Sequence, residues 1–166
     1  DKSVNTPPFF LSQIEHNNVT ILKSFAPVQK EIVNETVAFK MVNMMRGVVN
    51  FGTGARLRGK YQITADIAGK TGTTSNQADA WFIGYTPDLV AGAWVGCNDR
   101  EFRFSRESQG QGASSALPIW ALSMKKVWKD KSLNIDPKKT FTPPDGWVDC
   151  VSPDTLILPI SSPDGP

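Results

Sequence analysis

Histidine and cysteine are scarce in this chain, which has one histidine and two cysteines among its 166 residues. Cys97 and Cys150 lie far apart and no C-x-x-C spacing occurs, so neither a zinc site nor a disulfide scaffold is predicted. We expect two thiols, with a disulfide between them as the alternative. His16 cannot form a metal site with two distant thiols. The composition therefore argues against a metalloprotein and against a catalytic triad built on this histidine.

Strong net charge and long apolar runs are also absent. Eighteen Lys and Arg against sixteen Asp and Glu leave a formal net charge of +2, too small for the basic footprint of a duplex-binding protein. We therefore expect no nucleic acid partner. No stretch approaches the roughly 20 apolar residues that a membrane helix needs. The chain begins at Asp1 without a signal peptide, so we expect it to be part of a longer protein, whose location must be inferred from elsewhere.

The local patterns predict a hairpin, then a helix, then a sheet. Asn17-Asn18 is typical of a hairpin turn and separates the strand-like runs 13–16 and 19–24. From Asn34, which is suited to cap a helix, apolar residues recur at three- and four-residue spacing. Three strand-like runs with short turns between them follow, at about 63–74, 80–85 and 89–97. Short turns favour an antiparallel sheet.

The remaining segments complete an α+β layer, with an antiparallel sheet flanked by helices. A polar run at 98–112 predicts a loop, and 114–129 predicts a helix with lysines at its carboxyl end. The basic residues Arg56, Arg58 and Lys60 predict a solvated loop. Four aromatic residues are expected in the core rather than at a substrate platform: Trp81, Phe82, Trp94 and Trp120.

The carboxyl-terminal residues differ in composition from the rest. Seven of the twelve prolines lie from Pro137 to Pro166, which favours an extended segment with little core of its own. We therefore divide the chain into a domain at 1–130 and a Pro-rich extended tail at 131–166.

Residues 67–74, I-A-G-K-T-G-T-T, fit two incompatible motifs. Gly69-Lys70-Thr71 matches the end of a phosphate-binding loop, but Thr64 occupies the position of that loop's first glycine and a strand replaces the expected helix. The second interpretation is the K-T-G motif of β-lactamases and penicillin-binding proteins, here on a strand. The following D-A-W-F-I-G-Y strand favours the second interpretation.

The wider context is specific for one family. Gly52-Thr53-Gly54, G-K-T-G-T-T from Gly69, D-A-W-F-I-G-Y-T-P-D from Asp79 and W-V-G from Trp94 resemble the transpeptidase domain of bifunctional (class A) penicillin-binding proteins, which cross-link peptidoglycan. The resemblance covers about 6–130 and, more weakly, 143–159. It implies the penicillin-binding and serine β-lactamase-like fold, a five-stranded antiparallel sheet between helical layers, here present only in part as its carboxyl-terminal portion.

The resemblance also implies residue roles. Lys70 supplies positive charge and helps proton transfer, and the Thr73 N–H forms half of an oxyanion hole. Substrate binding falls to Thr71, Gly72, Thr73 and Thr74, with hydroxyls holding a carboxylate and glycine keeping the strand clear. Asp79 and Trp81 are expected to be structural residues near the site, with Asp79 as a hydrogen-bond acceptor that fixes the loop after the motif strand.

The family's nucleophile is missing from the expected place. No S-x-x-K precedes Lys70, and the matches to S-x-x-K at Ser123 and to S-x-N at Ser132 come after it, in the wrong order, so we interpret these two matches as coincidences. A nucleophile must lie within hydrogen-bond reach of its base. Two functions therefore stay open. One is part of a serine D-Ala-D-Ala transpeptidase that is inactive without the upstream part bearing S-x-x-K and S-x-N. The other is a non-catalytic module that binds a carboxylate-bearing peptide.

The transpeptidase interpretation carries further expectations. The partners are peptidoglycan stem peptides ending in D-Ala-D-Ala and the β-lactams that resemble them. The parent protein would act at the extracytoplasmic (periplasmic) face of the bacterial plasma membrane, held by an amino-terminal anchor outside this chain. No metal and no organic cofactor is implied.

Overall fold

The computed structural model describes residues 4–8, 10–17 and 20–148. Its amino-terminal region contains two small antiparallel sheets of two strands each. Strand β1 (Val4–Asn5) pairs with β4 (Lys30–Glu31), and β2 (Gln13–His16) pairs with β3 (Thr20–Ser24). Asn17, with a φ of 53°, lies in the left-handed region that a tight turn requires. The pairing of the two predicted hairpin strands is therefore confirmed, and positions 18 and 19 lie outside the described residues.

The first helix, α1 (Glu35–Asn50), begins at the predicted cap. The Asn34 side chain accepts a hydrogen bond from the Thr36 N–H at 2.8 Å, which satisfies one of the unpaired donors of the first turn. Phe39 and Val49 are its buried residues. A tight loop at Gly52-Thr53-Gly54 follows, where the Gly54 N–H donates to the Val48 carbonyl at 2.9 Å.

A short helix, α2 (Arg56–Gly59), replaces the solvated loop predicted for the basic run. That prediction is wrong for Arg58, whose Nη1 donates to the carbonyls of Ile63 and Ala65, each at 2.7 Å. Desolvation by burial lowers the pKa of Arg58, and the nearby Asp66 carboxylate opposes this shift. Arg58 thus satisfies backbone carbonyls in the segment that leads to the next strand.

The three predicted strands form one antiparallel sheet. They are β5 (Ala68–Thr73), β6 (Asp79–Tyr85) and β7 (Val90–Gly96), in the order β5-β6-β7. The first strand is shorter than expected, because residues 62–67 run without regular structure before it. The predicted loop at 98–112 contains one helical turn, α3 (Glu107–Gly110), and the predicted second helix is α4 (Ala116–Lys129).

Helices cover both faces of this sheet. Side chains of a strand alternate between faces, so Phe82 and Tyr85 of β6 point to opposite sides. Phe82 meets Trp120 of α4 with ring centroids 5.3 Å apart, and the Tyr85 hydroxyl lies 3.8 Å from Sδ of Met45 in α1. Full burial of side chains such as Phe82 and Trp120 stabilises the fold by roughly 1.5–3 kcal/mol each. The predicted class, an antiparallel sheet flanked by helices, is confirmed.

The segment after α4 packs back onto the sheet and α1. After a short 3-10 turn (Lys131–Leu133) it has no regular structure, yet Phe141 contacts Tyr85 and Trp147 contacts Phe39, with ring centroids 5.6 and 4.7 Å apart. The division at residue 130 stays a prediction, and Cys150 lies outside the described residues. Within the described residues no helix has the length and apolar character to cross a bilayer, and no cluster of metal-ligating side chains occurs.

Candidate active site

The K-T-G residues lie on β5, an edge strand of the described sheet. The Thr74 N–H donates to the Asp79 carbonyl at 3.0 Å, and residues 68 to 73 pair with β6 in unbroken register. Hydrogen-bonding direction alternates along an antiparallel strand. The backbone groups of Thr71 and Thr73 therefore point away from β6, to the free edge. An extended ligand placed along this edge would meet the Thr73 N–H.

The Lys70 side chain also reaches the free edge of β5. Its side chain is exposed, and its Nζ donates to the Thr71 carbonyl at 2.9 Å. The ammonium group therefore lies at the free edge of β5, where it adds positive charge beside the Thr73 N–H.

The Thr71 hydroxyl contacts a residue from the loop after α1. Its Oγ1 lies 2.7 Å from Oγ1 of Thr53, and either hydroxyl can donate in this pair. Thr53 is the central residue of the Gly52-Thr53-Gly54 loop, which the sequence indicated only as a turn. The two motifs of the resemblance thus meet in space.

The Thr73 hydroxyl contacts the segment before α4. The Gly112 N–H donates to Thr73 Oγ1 at 3.1 Å. A Cβ at position 112 would lie 2.3 Å from the Trp81 carbonyl oxygen and 2.6 Å from that of Gly72. Only glycine permits this approach of one backbone to another. Gly112 was missed by sequence reasoning, although the glycines of G-Q-G were a signal of close packing.

These contacts surround a cavity of about 270 Å³ next to β5. Its lining combines hydroxyl, amide and carboxylate groups: Thr53, Thr71, Thr73, Gln77, Glu107, Gln111 and Ala113. The structure therefore brings Thr71 and Thr73 together with three residues of the predicted loop at 98–112 and its border. Thr74 does not line this cavity.

The turn after β5 is held by Asp79. Its N–H donates to Thr74 Oγ1 at 2.9 Å, and its Oδ1 accepts from Trp94 Nε1 at 3.0 Å. The exposed Arg100 approaches Oδ2 at 3.6 Å, a long contact of small energetic weight. Within the turn, Asn76 and Gln77 have φ values of 60° and 55°, a strained conformation for a non-glycine residue. Asp79 thus makes hydrogen bonds at both ends of this turn, and its role as a structural residue near the site stays a prediction.

The aromatic residues divide between the two faces of the sheet. Phe82 and Trp120 are 0% and 2% exposed, which confirms their place in the core. The same prediction is wrong for Trp81 and Trp94, which are each 43% exposed and pair across β6 and β7. Ring centroids 6.2 Å apart show that the two indoles contact each other. Strand alternation places both on the face opposite to Phe82, beyond the reach of α4.

The two serine motifs lie away from the cavity. Ser123 is exposed within α4, and Ser132 lies in the 3-10 turn, where its hydroxyl donates to Asp130 Oδ1 at 2.6 Å. Neither lines the cavity beside β5. Among the described residues, that cavity offers hydroxyls only from threonines and no serine nucleophile.

Comparison with known proteins identifies the family of the chain. Residues 2–97 match the Transpeptidase family, described as the penicillin binding protein transpeptidase domain. The chain is 35% identical over 152 residues to penicillin-binding protein 1A of Aquifex aeolicus, covering 91% of this chain and 19% of that protein. It is 38% identical over 126 residues to penicillin-binding protein 1A of Pseudomonas aeruginosa, covering 75% and 14%.

A solved structure shares the fold. The crystal structure of penicillin-binding protein 1A from Haemophilus influenzae aligns with a TM-score of 0.66 and 21% identity, covering 87% of this chain and 26% of that one. The fold is that of a penicillin-binding transpeptidase domain. The chain belongs to the penicillin-binding protein transpeptidase family, and it spans about a fifth of the length of the Aquifex relative.

Proposed function

We propose that this chain forms one wall of a peptidoglycan D,D-transpeptidase active site that works through an acyl-serine intermediate. The observation that carries the proposal is the free edge of β5, where the Lys70 ammonium contacts the Thr71 carbonyl and the Thr73 N–H points outward. The hydroxyls of Thr71 and Thr73 line the cavity beside this edge, although Lys70 does not. The ammonium, the N–H and the two hydroxyls can each donate a hydrogen bond. A ligand with two oxygen-centred negative charges, a terminal carboxylate and a developing oxyanion, matches such a set.

The reaction has two acyl-transfer steps. A serine hydroxyl attacks the carbonyl between the two D-Ala residues, the C–N bond breaks, and the leaving D-Ala amine takes up the serine proton. An amine of a neighbouring stem peptide then attacks the ester carbonyl, so that a new amide C–N bond forms, the ester C–O bond breaks, and a proton of the amine returns to the serine oxygen. In both steps the Thr73 N–H stabilises the tetrahedral oxyanion. The hydroxyls of Thr71 and Thr73 hold the terminal carboxylate, and Lys70 supplies charge and helps proton transfer. Thr74 supports substrate binding through the turn that it forms with Asp79.

The nucleophile comes from an upstream part of the same domain, which bears S-x-x-K and S-x-N. Exposed apolar side chains of this chain support the proposal that such an upstream part packs against it. Trp81, Ile83 and Trp94 share one face of the sheet and are 43%, 48% and 43% exposed, and Met41 and Met44 of α1 are 48% and 61% exposed. Exposed apolar surface of this kind is typical of a protein contact. The upstream part would cover it while placing the serine beside β5.

Family membership supports the wider biological setting. We infer that the complete protein binds β-lactams as substrate analogues, takes part in cell-wall synthesis and is held by a membrane anchor at the extracytoplasmic face. The reaction as written uses only side chains, backbone and substrate, and it has no step that needs a metal or an organic cofactor.

Intact mass spectrometry of the full-length protein tests this function. After incubation with a penicillin, we expect one adduct of the drug's mass on a serine outside residues 1–166. An adduct on Ser123 would contradict the proposal, because it would make that exposed serine the nucleophile. An S-x-x-K-bearing protein that binds the drug reversibly and forms no adduct would instead indicate a non-catalytic module for carboxylate-bearing peptides.

A further inference from the structure

We propose that Thr53 is a positioning residue, which donates its hydroxyl proton to Thr71 and thereby turns the Thr71 proton toward the substrate carboxylate. The proposal rests on the proposed function of the same site. Its direct observation is the 2.7 Å separation of the two Oγ1 atoms, the usual length of an O–H···O hydrogen bond. Thr53 lies 18 positions before Thr71, in a different loop, so this contact is made by the fold.

Counting protons decides the direction of that hydrogen bond. Each threonine hydroxyl has one proton and can accept hydrogen bonds through two lone pairs. A carboxylate accepts only, so Thr71 can bind it only by donating its own proton. Thr71 then has no proton left for Thr53, and the 2.7 Å contact persists only if Thr53 donates. A hydroxyl that accepts one hydrogen bond becomes a stronger donor in the next.

The Thr73 hydroxyl also accepts a hydrogen bond from the protein, and here the donor is certain. Thr73 Oγ1 receives the Gly112 N–H, and a backbone N–H can only donate. The Thr73 proton is therefore directed elsewhere, and Thr73 lines the same cavity as Thr71 and Thr53. If Thr53 donates to Thr71, the hydroxyls of Thr71 and Thr73 each accept one hydrogen bond from the protein, and each keeps its own proton to donate to the ligand. Two outward donors match the two oxygens of one carboxylate.

The loop around Thr53 is built to hold it in place. The N–H groups of Gly52 and Gly54 both donate to the Val48 carbonyl, at 3.2 and 2.9 Å. A Cβ at position 54 would lie 3.1 Å from that same oxygen, and Gly54 is buried. The loop is thus closed tightly onto the last turn of α1. Little freedom remains for the backbone of Thr53, so its hydroxyl is fixed beside β5.

Acylation of the full-length protein by a penicillin and by the carboxyl methyl ester of the same penicillin tests this role. Thr53→Val removes the hydroxyl and keeps the side chain's shape. We expect about a tenfold fall in the acylation rate constant for the acid, because Thr71 loses the hydrogen bond that directs its proton to the carboxylate, and little change for the ester. Thr53→Ser should restore the acid rate. Thr36→Val, at the exposed start of α1, is the matched control and should change neither rate.

The ratio of the acid rate to the ester rate separates the outcomes. Thr53→Ala must lower this ratio as Thr53→Val does, so the test does not depend on how well valine fits. An equal fall for acid and ester, or no fall for either, would overturn the role of Thr53 while leaving the transpeptidase function intact. A wild-type protein that is not acylated by the acid would overturn the proposed function itself, and the role of Thr53 with it.

Discussion

Gly112 donates its N–H to the hydroxyl of Thr73 at 3.1 Å, across 39 positions of sequence. This hydrogen bond joins the segment before α4 to the strand that carries the K-T-G motif. It forms only because position 112 has no side chain, since a Cβ there would overlap the carbonyl oxygens of Trp81 and Gly72. The loop at 98–112 therefore contributes to the wall of the cavity beside β5.

Gly112→Ala should weaken both the fold and the site. The added methyl group meets backbone atoms at 2.3 and 2.6 Å, which cannot rotate away, so the segment must move off β5. Overpacking of this kind costs about 1–3 kcal/mol. We expect a lower free energy of unfolding in urea and slower acylation by penicillin in the full-length protein.

Gly47→Ala is the matched control for that substitution. A Cβ at Gly47 would have nothing within 4 Å, and the residue lies inside α1. Alanine in a helix interior is favoured over glycine by roughly 0.5–1 kcal/mol. We expect Gly47→Ala to raise stability and leave acylation unchanged. Equal effects of the two substitutions would contradict the close approach at Gly112.

A buried carboxylate joins α1 to the carboxyl-terminal segment. Asp66 accepts from Arg46 Nε at 2.7 Å and from the Phe141 N–H at 3.1 Å, and its side chain is 9% exposed. Asp66→Ala leaves Arg46 and a backbone N–H without this acceptor. We expect the free energy of unfolding to fall by about 2–3 kcal/mol.

The exposed pair of Lys139 and Asp88 provides the comparison. Its side chains are 55% and 26% exposed, so Lys139→Ala should cost at most about 1 kcal/mol. Urea unfolding of both variants measures the difference. If Asp66→Ala is no more destabilising than Lys139→Ala, Asp66 does not hold the carboxyl-terminal segment.

Tyr85 makes stability depend on alkaline pH. Burial raises the pKa of its phenol. Because the folded pKa lies above the unfolded value of about 10, the contribution of the neutral phenol is complete below that pH and is lost as pH rises through the folded pKa. We expect the free energy of unfolding to fall above about pH 10, and less steeply in Tyr85→Phe. Parallel falls in both proteins would show that Tyr85 is not the group responsible.

Much of the fold follows from local sequence signals. Asn34 caps α1 because its short side chain reaches the first turn, and the alternation of Ala80, Phe82 and Gly84 with exposed residues defines the faces of β6. Arg58 was predicted wrongly, because its hydrogen-bond partners are backbone carbonyls five and seven residues away that no side-chain pattern marks.

Contacts between distant segments explain the rest. Trp81 and Trp94 have the aromatic character of core residues, but α4 packs on the other face of the sheet, where Phe82 lies. The Thr53–Thr71 and Gly112–Thr73 contacts depend on how loops meet the edge of β5. The K-T-G motif could be identified from the sequence. The residues that contact its threonine hydroxyls, Thr53 and Gly112, could be identified only from the three-dimensional structure.

The most direct test of the central claim is the acylation rate of the full-length protein by a penicillin in three forms: wild type, Lys70→Ala and Thr73→Val. If the free edge of β5 is the oxyanion and carboxylate wall, each substitution should raise the activation free energy of acylation by about 2–4 kcal/mol. Thermal unfolding of Lys70→Ala should stay close to that of the wild type, because Lys70 is exposed. Thr73→Val also removes the acceptor of the Gly112 N–H and should lower the free energy of unfolding by about 1–3 kcal/mol, so its acylation is measured where the variant is fully folded. Unchanged acylation in both variants would contradict the assignment of this strand to the active site.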